Sequence, residues 1–451
     1  MTTRRTFIKR SAAGIAATAI QSVLNTDETF AASTSGELKD GGRIRSMSRR
    51  EDTIIRRGGY LSVGQFAWLA DDQQLFVVGD GCGWPKVRDK YWSTRFYKID
   101  GSAKTARFHE LSNQPDMLIW DWMDTSGDKS AWYPGGVISV DGCIYAYLST
   151  FDRPLNIHTP GSWTNYPSNW KGVTFNTTKV IYSPDNGRTW HNQDGSTPVV
   201  LERQPEKSAK NMLFFRHRNG VFTGPIFLQM GKDYQDNRDG YVYAYSANGT
   251  VDSGGWTTPV VELGALNELV MFRVPKTKIL DASAYEYLAG LQPDGSAIWV
   301  KDIEARAVVH TFPKSWGASS FAYNKPLGLY MMAGGGGGSG PMGKGSYIAF
   351  WVAPNPWGPW KQIPWTPHGD EVWKNPAMPT SRPGGAAIIP KWIAEDGKTF
   401  WIAWSEATPY DINEPLMMSK TEAEFNKASV EWGEASPYYS FNAQRVDVIF
   451  N

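Results

Sequence analysis

Short apolar runs broken by Gly, Asp, Asn and Pro recur along the chain, and few stretches hold a helical period of useful length. Leu61–Leu69, Gln74–Gly79 and Arg95–Ile99 are followed by Gly136–Val140 and Cys143–Leu148, the last two joined by Asp141-Gly142, a two-residue hairpin turn. Val180–Tyr182, Pro225–Met230, Tyr241–Ser246, Leu269–Val274 and Ala297–Lys301 continue the series. Ser319–Tyr323, Gly328–Ala333, Tyr347–Val352, Gly385–Ile389 and Thr399–Ser405 precede a last alternating run, Tyr438–Phe450. Runs of this length bounded by turn residues predict strands. Turn markers return at about 65–100 residues, roughly one elaborated four-stranded blade. The pattern predicts an all-β propeller in a single domain. Its final strand is expected to pair with Leu61–Leu69, closing the ring and removing exposed sheet edges. Helix is expected only near residues 276–288.

Between Met230 and Tyr241 the pattern breaks. A hairpin connection needs about 2–5 residues, but the segment from Gly231 to Gly240 is longer and carries Lys232, Asp233, Tyr234, Asp236, Arg238 and Asp239. Two readings are open: an Asp–Arg clamp pinning a wide turn, or a site that holds a polar ligand.

Composition narrows the function classes. Gly 45, Pro 28 and 14% aromatic residues suit many short strands and tight turns, and 21 Trp supply either propeller core or platforms for sugar rings. A net charge of +1 gives no polyanion-binding surface, so no nucleic-acid partner is expected. The N-terminus reads MTTRRTFIKR, then a short Ala-rich apolar stretch, then Phe30-Ala31-Ala32. Thr3-Arg4-Arg5-Thr6-Phe7-Ile8-Lys9 resembles a twin-arginine export signal, with an apolar core too weak for a membrane span. The expected organisation is a signal peptide over 1–32, a polar basic tail over 33–57 and the propeller over 58–451. The mature chain is then a monomer, periplasmic or secreted, with the twin-arginine translocase as its export partner. Cys82 and Cys143 cannot build a disulfide scaffold; one bridge or two separate thiols fit equally.

Ser183-Pro184-Asp185-Asn186-Gly187-Arg188-Thr189-Trp190 matches the Asp-box, S-x-D-x-G-x-T-W, at every defined position. Asp185 can accept backbone N–H bonds across the turn and Gly187 supplies a positive φ, so the motif is assigned a structural role. In sialidase-like proteins it braces the blade edge away from the active site. Pro354–Trp360 resembles the Gly-Pro-Trp turn of family 43 glycosidases. Together Trp68–Asp72, Val78–Gly81, Phe227–Ser246, Tyr285–Leu291 with Trp299, and Pro354–Trp360 resemble secreted propellers of the domain-of-unknown-function 4185 type. The resemblance implies a five-bladed β-propeller, and in some members polysaccharide cleavage by paired carboxylates; it supports fold better than function.

Asp80 ends the run Leu75–Gly79 and is flanked by Gly81 and Gly83, while Glu406 ends Phe400–Ser405. Two acids from different blades facing one funnel suit glycoside hydrolysis, one protonated and the other ionised. The candidate catalytic residues are Asp80, Glu406 and Asp233. Arg238, Lys232, Tyr234, Trp84, Trp120 and Asp121 are the candidate substrate-binding residues. A non-catalytic carbohydrate-binding propeller is the second reading. A uronate lyase is the third, with Arg238 or Lys232 neutralising the uronate and Tyr234 or His217 moving the proton. No segment argues for a nucleotide, haem or flavin, and a structural calcium on the axis is left open, marked by no loop motif.

Overall fold

Gln74 to Gly79 are buried without a break. A strand covered on one face alternates; continuous burial means that layers pack on both faces of its sheet. The same holds for Val242–Ser246, although its tyrosines, Tyr243 and Tyr245, recur at every second position with Tyr241 before them. The protein is described here by a computed structural model covering residues 43–84, 90–118, 130–152, 174–249, 268–312, 318–336, 347–366, 382–383, 386–407, 421–435 and 439–451. All of them belong to one compact unit, Leu38–Asn451.

The fold is all-β. After β1 (Ile44–Arg56), the strands β2 (Tyr60–Trp68), β3 (Gln74–Gly83), β4 (Trp92–Asp100) and β5 (Arg107–Glu110) pair in chain order. Tyr133–Val140, Cys143–Asp152, Thr174–Ser183 and His191–Asn192 repeat this antiparallel order, as do Ile226–Gln229, Tyr241–Ala247, Glu268–Pro275 and Glu286–Leu291. Ala318–Asn324, Leu329–Gly336, Tyr347–Ala353 and Lys361–Ile363 do so again. The last repeat runs Ala387–Ile388, Thr399–Trp404, Asn442–Phe450 and then β1. The first strand of each repeat is its inner strand. β2 touches Tyr133–Val140, which touches Ile226–Gln229; Ala318–Asn324 and Ala387–Ile388 follow, and the last returns to β2. The inner strands close a circuit, and the sheets stand around it as in a propeller.

The cores lie between neighbouring sheets, and each interface has an aromatic clasp. Phe96 stacks on Trp190 at 4.8 Å, Tyr147 on Phe227 at 4.3 Å and Tyr245 on Phe321 at 3.8 Å. Phe350 meets Phe400 edge-on at 5.7 Å, and Phe441 meets Phe76 edge-on at 5.4 Å. Each such pair adds about 0.5–1.5 kcal/mol beyond the area it buries.

Three expectations need correction. Residues 44–56 are not tail but β1, an outer strand whose exposed positions made it read as polar. The C-terminal strand pairs with β1 and Thr399–Trp404, not with Leu61–Leu69, although Leu61 N–H does donate to Tyr439 O at 3.0 Å. The only helix in residues 276–288 is two short 3-10 turns, Lys276–Lys278 and Ala282–Ala284, before the strand Glu286–Leu291, while a fourteen-residue helix, α1, forms at Glu422–Ala435. No helix among the described residues is long and apolar enough to cross a membrane.

Candidate active site

The inner strands begin at one end of the ring, here the rim, and end at the other, the floor. Asp80 lies at the rim because β3 bulges there. Ser62 pairs with Gly79 and Tyr60 with Gly83, so one residue of β2, Leu61, opposes three of β3, Asp80, Gly81 and Cys82, while Gly79 and Gly81 stay in register with Thr94 and Trp92 of β4. Bulges re-aim side chains, and this one holds Asp80 at a φ of 33°, an uncommon value for a residue with a Cβ. Gly81 is required: a Cβ there would fall 2.1 Å from the carbonyl oxygen of Tyr60.

Asp80 as a residue keeps some exposure, but its Oδ1 is buried and has no hydrogen-bond partner. Burial raises its pKa from 3.8 to about 7. The groups that feel its charge are phenols: Tyr60 of β2, Tyr91 ahead of β4, Tyr133 opening its inner strand, and Tyr439 ahead of the C-terminal strand. Burial is the first cause of the rise in all four phenol pKa values. The Tyr60 ring lies 5.7 Å from Tyr91, edge-on, and 5.3 Å from Tyr439. Sequence reasoning missed these tyrosines; their shared signal was an aromatic residue at or just before a strand start.

Glu406 comes to the same rim by its backbone. It pairs with Pro383 in a short two-stranded ladder directly after Ser405. Ser405 Oγ accepts from Val63 N–H at 2.7 Å and donates to Leu61 O at 3.0 Å, on either side of the Ser62 that faces Gly79.

The Gly231–Gly240 loop lies elsewhere. Asp233 accepts from Ser139 Oγ at 2.6 Å and from Gly142 N–H at 2.9 Å, at the end of the inner strand that Tyr133 begins. It is a floor clamp, and it does not meet Asp80. Lys232 reaches Asp72 in the β2–β3 turn at 3.8 Å, again on the floor. Tyr234 is buried; its hydroxyl donates to Tyr241 O and accepts from Tyr243 N–H, both at 3.2 Å. Arg238 is exposed in the same loop. Of the two readings of this loop, the clamp is the one whose bonds are present, made by Asp233 rather than by an Asp–Arg pair.

Trp84 is core rather than platform. It is 4% exposed, beside Phe108 and Phe441, and its Nε1–H donates to Arg57 O at 3.1 Å. Trp120 and Asp121 lie outside the described residues. Burial lowers the pKa of His217, which rests against Phe214. Cys82 is buried, Cys143 partly so, and both are free thiols. Among the described residues no three or more His, Cys, Asp or Glu side chains gather as a metal site.

The fold and rim define an all-β propeller with a buried acid among phenols. The chain belongs to the family described as a domain of unknown function, DUF4185, whose model matches residues 66–413. No curated protein matches it. Similar solved structures include a protein of unknown function from Dyadobacter fermentans DSM 18053, 9% identical, covering 90% of this chain and 99% of that one at a TM-score of 0.41. The catalytic domain of a GH62 α-L-arabinofuranosidase from Coprinopsis cinerea is 9% identical, with 90% and 97% covered and a TM-score of 0.40. A GH43_1 enzyme from Xanthomonas citri, complexed with xylotriose, is 11% identical, with 88% and 90% covered and a TM-score of 0.38. At these scores the likeness is too distant to assign a residue or an activity.

Proposed function

We infer that the chain is an exported, monomeric five-bladed β-propeller that binds a polysaccharide at its rim and hydrolyses a glycosidic bond there. One observation carries this reading: Asp80 presents a buried, unpartnered carboxyl oxygen whose proton is held up to about 7. A carboxyl still protonated near neutrality is what a general acid requires. Asp80 protonates the leaving oxygen, and Glu406, the second acid brought to this rim, serves as nucleophile or as base for water. A separation of about 5–5.5 Å between them gives retention, and about 6.5–9.5 Å gives inversion.

A non-catalytic glycan binder is the second reading, favoured by the phenol wall around Asp80, since aromatic rings hold sugars without chemistry. The lyase reading loses support because Lys232 and Arg238, its uronate-neutralising cations, belong to the floor loop.

The test is a release assay on a panel of plant and bacterial polysaccharides, reading reducing ends and ultraviolet absorbance from unsaturated uronates. Hydrolysis gives reducing ends alone, and the rate falls as pH rises through about 7 because Asp80 loses its proton. Asp80→Asn is expected to abolish turnover and leave binding largely intact. Binding without product would leave the binder; an unsaturated product would restore the lyase. Export is tested separately, since replacing Arg4 and Arg5 by Lys is expected to hold the chain in the cytoplasm.

A further inference from the structure

Helix α1 is the one long helix among the described residues, and it packs on β3, the strand that carries Asp80. Its Phe425 lies edge-on to Tyr91 at 5.5 Å. In its last turn it turns the bare Cα of Gly433 toward the Tyr60 ring. A Cβ at 433 would fall 2.7 Å from Tyr60 Cδ1, 2.8 Å from Cγ and 2.9 Å from Cβ. Glycine weakens a helix interior relative to alanine, so at this position the missing side chain makes room for the ring. Tyr60 is fully buried, touches Tyr91 and Tyr439, and stands on the strand against which the Asp80 bulge is formed.

The geometry points to Tyr60 as the positioning residue of the Asp80 site, seated by α1 through Gly433 so that its ring keeps water from the carboxyl. This rests on the general-acid reading above. Tyr60, Tyr91, Tyr133 and Tyr439 sense the charge of Asp80, and Cys82 acts on Tyr60. On α1 the charges of Glu422, Glu424, Glu431 and Glu434 are solvent-exposed, and Lys427 pairs with Glu431 at 3.9 Å. The helix thus acts on Asp80 by exclusion of solvent and not by charge.

The experiment follows the Asp80 carboxyl carbon by NMR in the full chain labelled at aspartate carboxyls, with Asp80→Asn identifying the signal. Gly433→Ala displaces the Tyr60 ring and is expected to lower the titration midpoint by about one unit or more as water enters. Tyr60→Leu removes the ring without crowding the helix and is expected to do the same. Tyr60→Phe keeps the ring and is expected to leave the midpoint in place. A raised wild-type midpoint that Tyr60→Leu fails to lower overturns the role of Tyr60, whether or not Gly433→Ala folds. A wild-type midpoint in the ordinary carboxylate range sinks the general-acid reading itself. Neither outcome depends on finding a substrate.

Discussion

Asp80 should make the stability of this protein depend on pH, and Asp80→Asn should remove that dependence. The folded chain holds the Asp80 proton more tightly than the unfolded chain does, so rising pH costs stability between the ordinary carboxylate range and about 7. A rise from 3.8 to about 7 corresponds to about 4 kcal/mol at roughly 1.4 kcal/mol per pH unit. Below about pH 4 the acid is neutral in both states and this contribution vanishes. The Asn variant carries no charge to desolvate, but it leaves an unpartnered amide beside the phenols, costing about 1–3 kcal/mol. At pH 8 the variant is therefore expected to be about 1–3 kcal/mol more stable than the wild type, and at pH 4 less stable by about 1–3 kcal/mol. Urea unfolding of both proteins from pH 4 to pH 8, each fitted for its midpoint and slope, reads the difference directly. Parallel stability curves across that range would refute the burial argument, because they would mean that Asp80 ionises in the folded protein as it does in water.

Three further outcomes test the structural assignments. Asp185 accepts from Ser183 Oγ at 2.9 Å, Arg188 N–H at 3.1 Å, Thr189 N–H at 2.8 Å and Thr189 Oγ1 at 2.7 Å. Asp185→Ala should cost roughly 1–2 kcal/mol in denaturant unfolding and leave turnover per folded molecule unchanged. Asp233→Ala strands Ser139 Oγ and Gly142 N–H and should lower stability by about 1–3 kcal/mol, again without affecting glycan binding. Arg238→Ala, on an exposed loop position, should stay within about 0.5 kcal/mol of wild type and bind glycan equally well; a loss of binding would return the loop to the site.

Strand positions were legible because layers on both faces turn each buried strand into a continuous apolar run, as in Gln74–Gly79. The outer strand β1 is different. Met47 and Arg49 of β1 are buried while Glu51 and Asp52 are exposed, and without the C-terminal strand beside it nothing marks Ile44–Arg56 as structure. Helix α1 escaped notice for a related reason: its buried residues include Phe425, Ala428, Ser429 and Gly433, of modest apolar content, amid Glu and Lys. At the rim, Asp80 stood out by ending an apolar run between glycines, but its tyrosines come from four distant segments that only the ring closure assembles. The Gly231–Gly240 loop misled because charge density marks a clamp as readily as a site. Asp233 and Arg238 carry the residue types of catalysis, and only the partners of Asp233, Ser139 and Gly142, disclose its duty.

The floor is cross-tied in a way that reaches beyond Asp233. Lys391 donates to Asp72 Oδ2 at 2.8 Å, Lys232 approaches Asp72 from another sheet, Asp236 takes Lys325 at 2.6 Å, and Asn324 Nδ2 donates to Gly397 O at 2.8 Å. With Asp233 on Gly142, these ties connect the turn that follows every inner strand. They behave as a drawstring on one mouth of a bag. Cutting the chain at a floor turn and rejoining the natural ends should loosen several sheets together, whereas the same permutation at the rim should cost little. Changes confined to the rim would leave the drawstring tied.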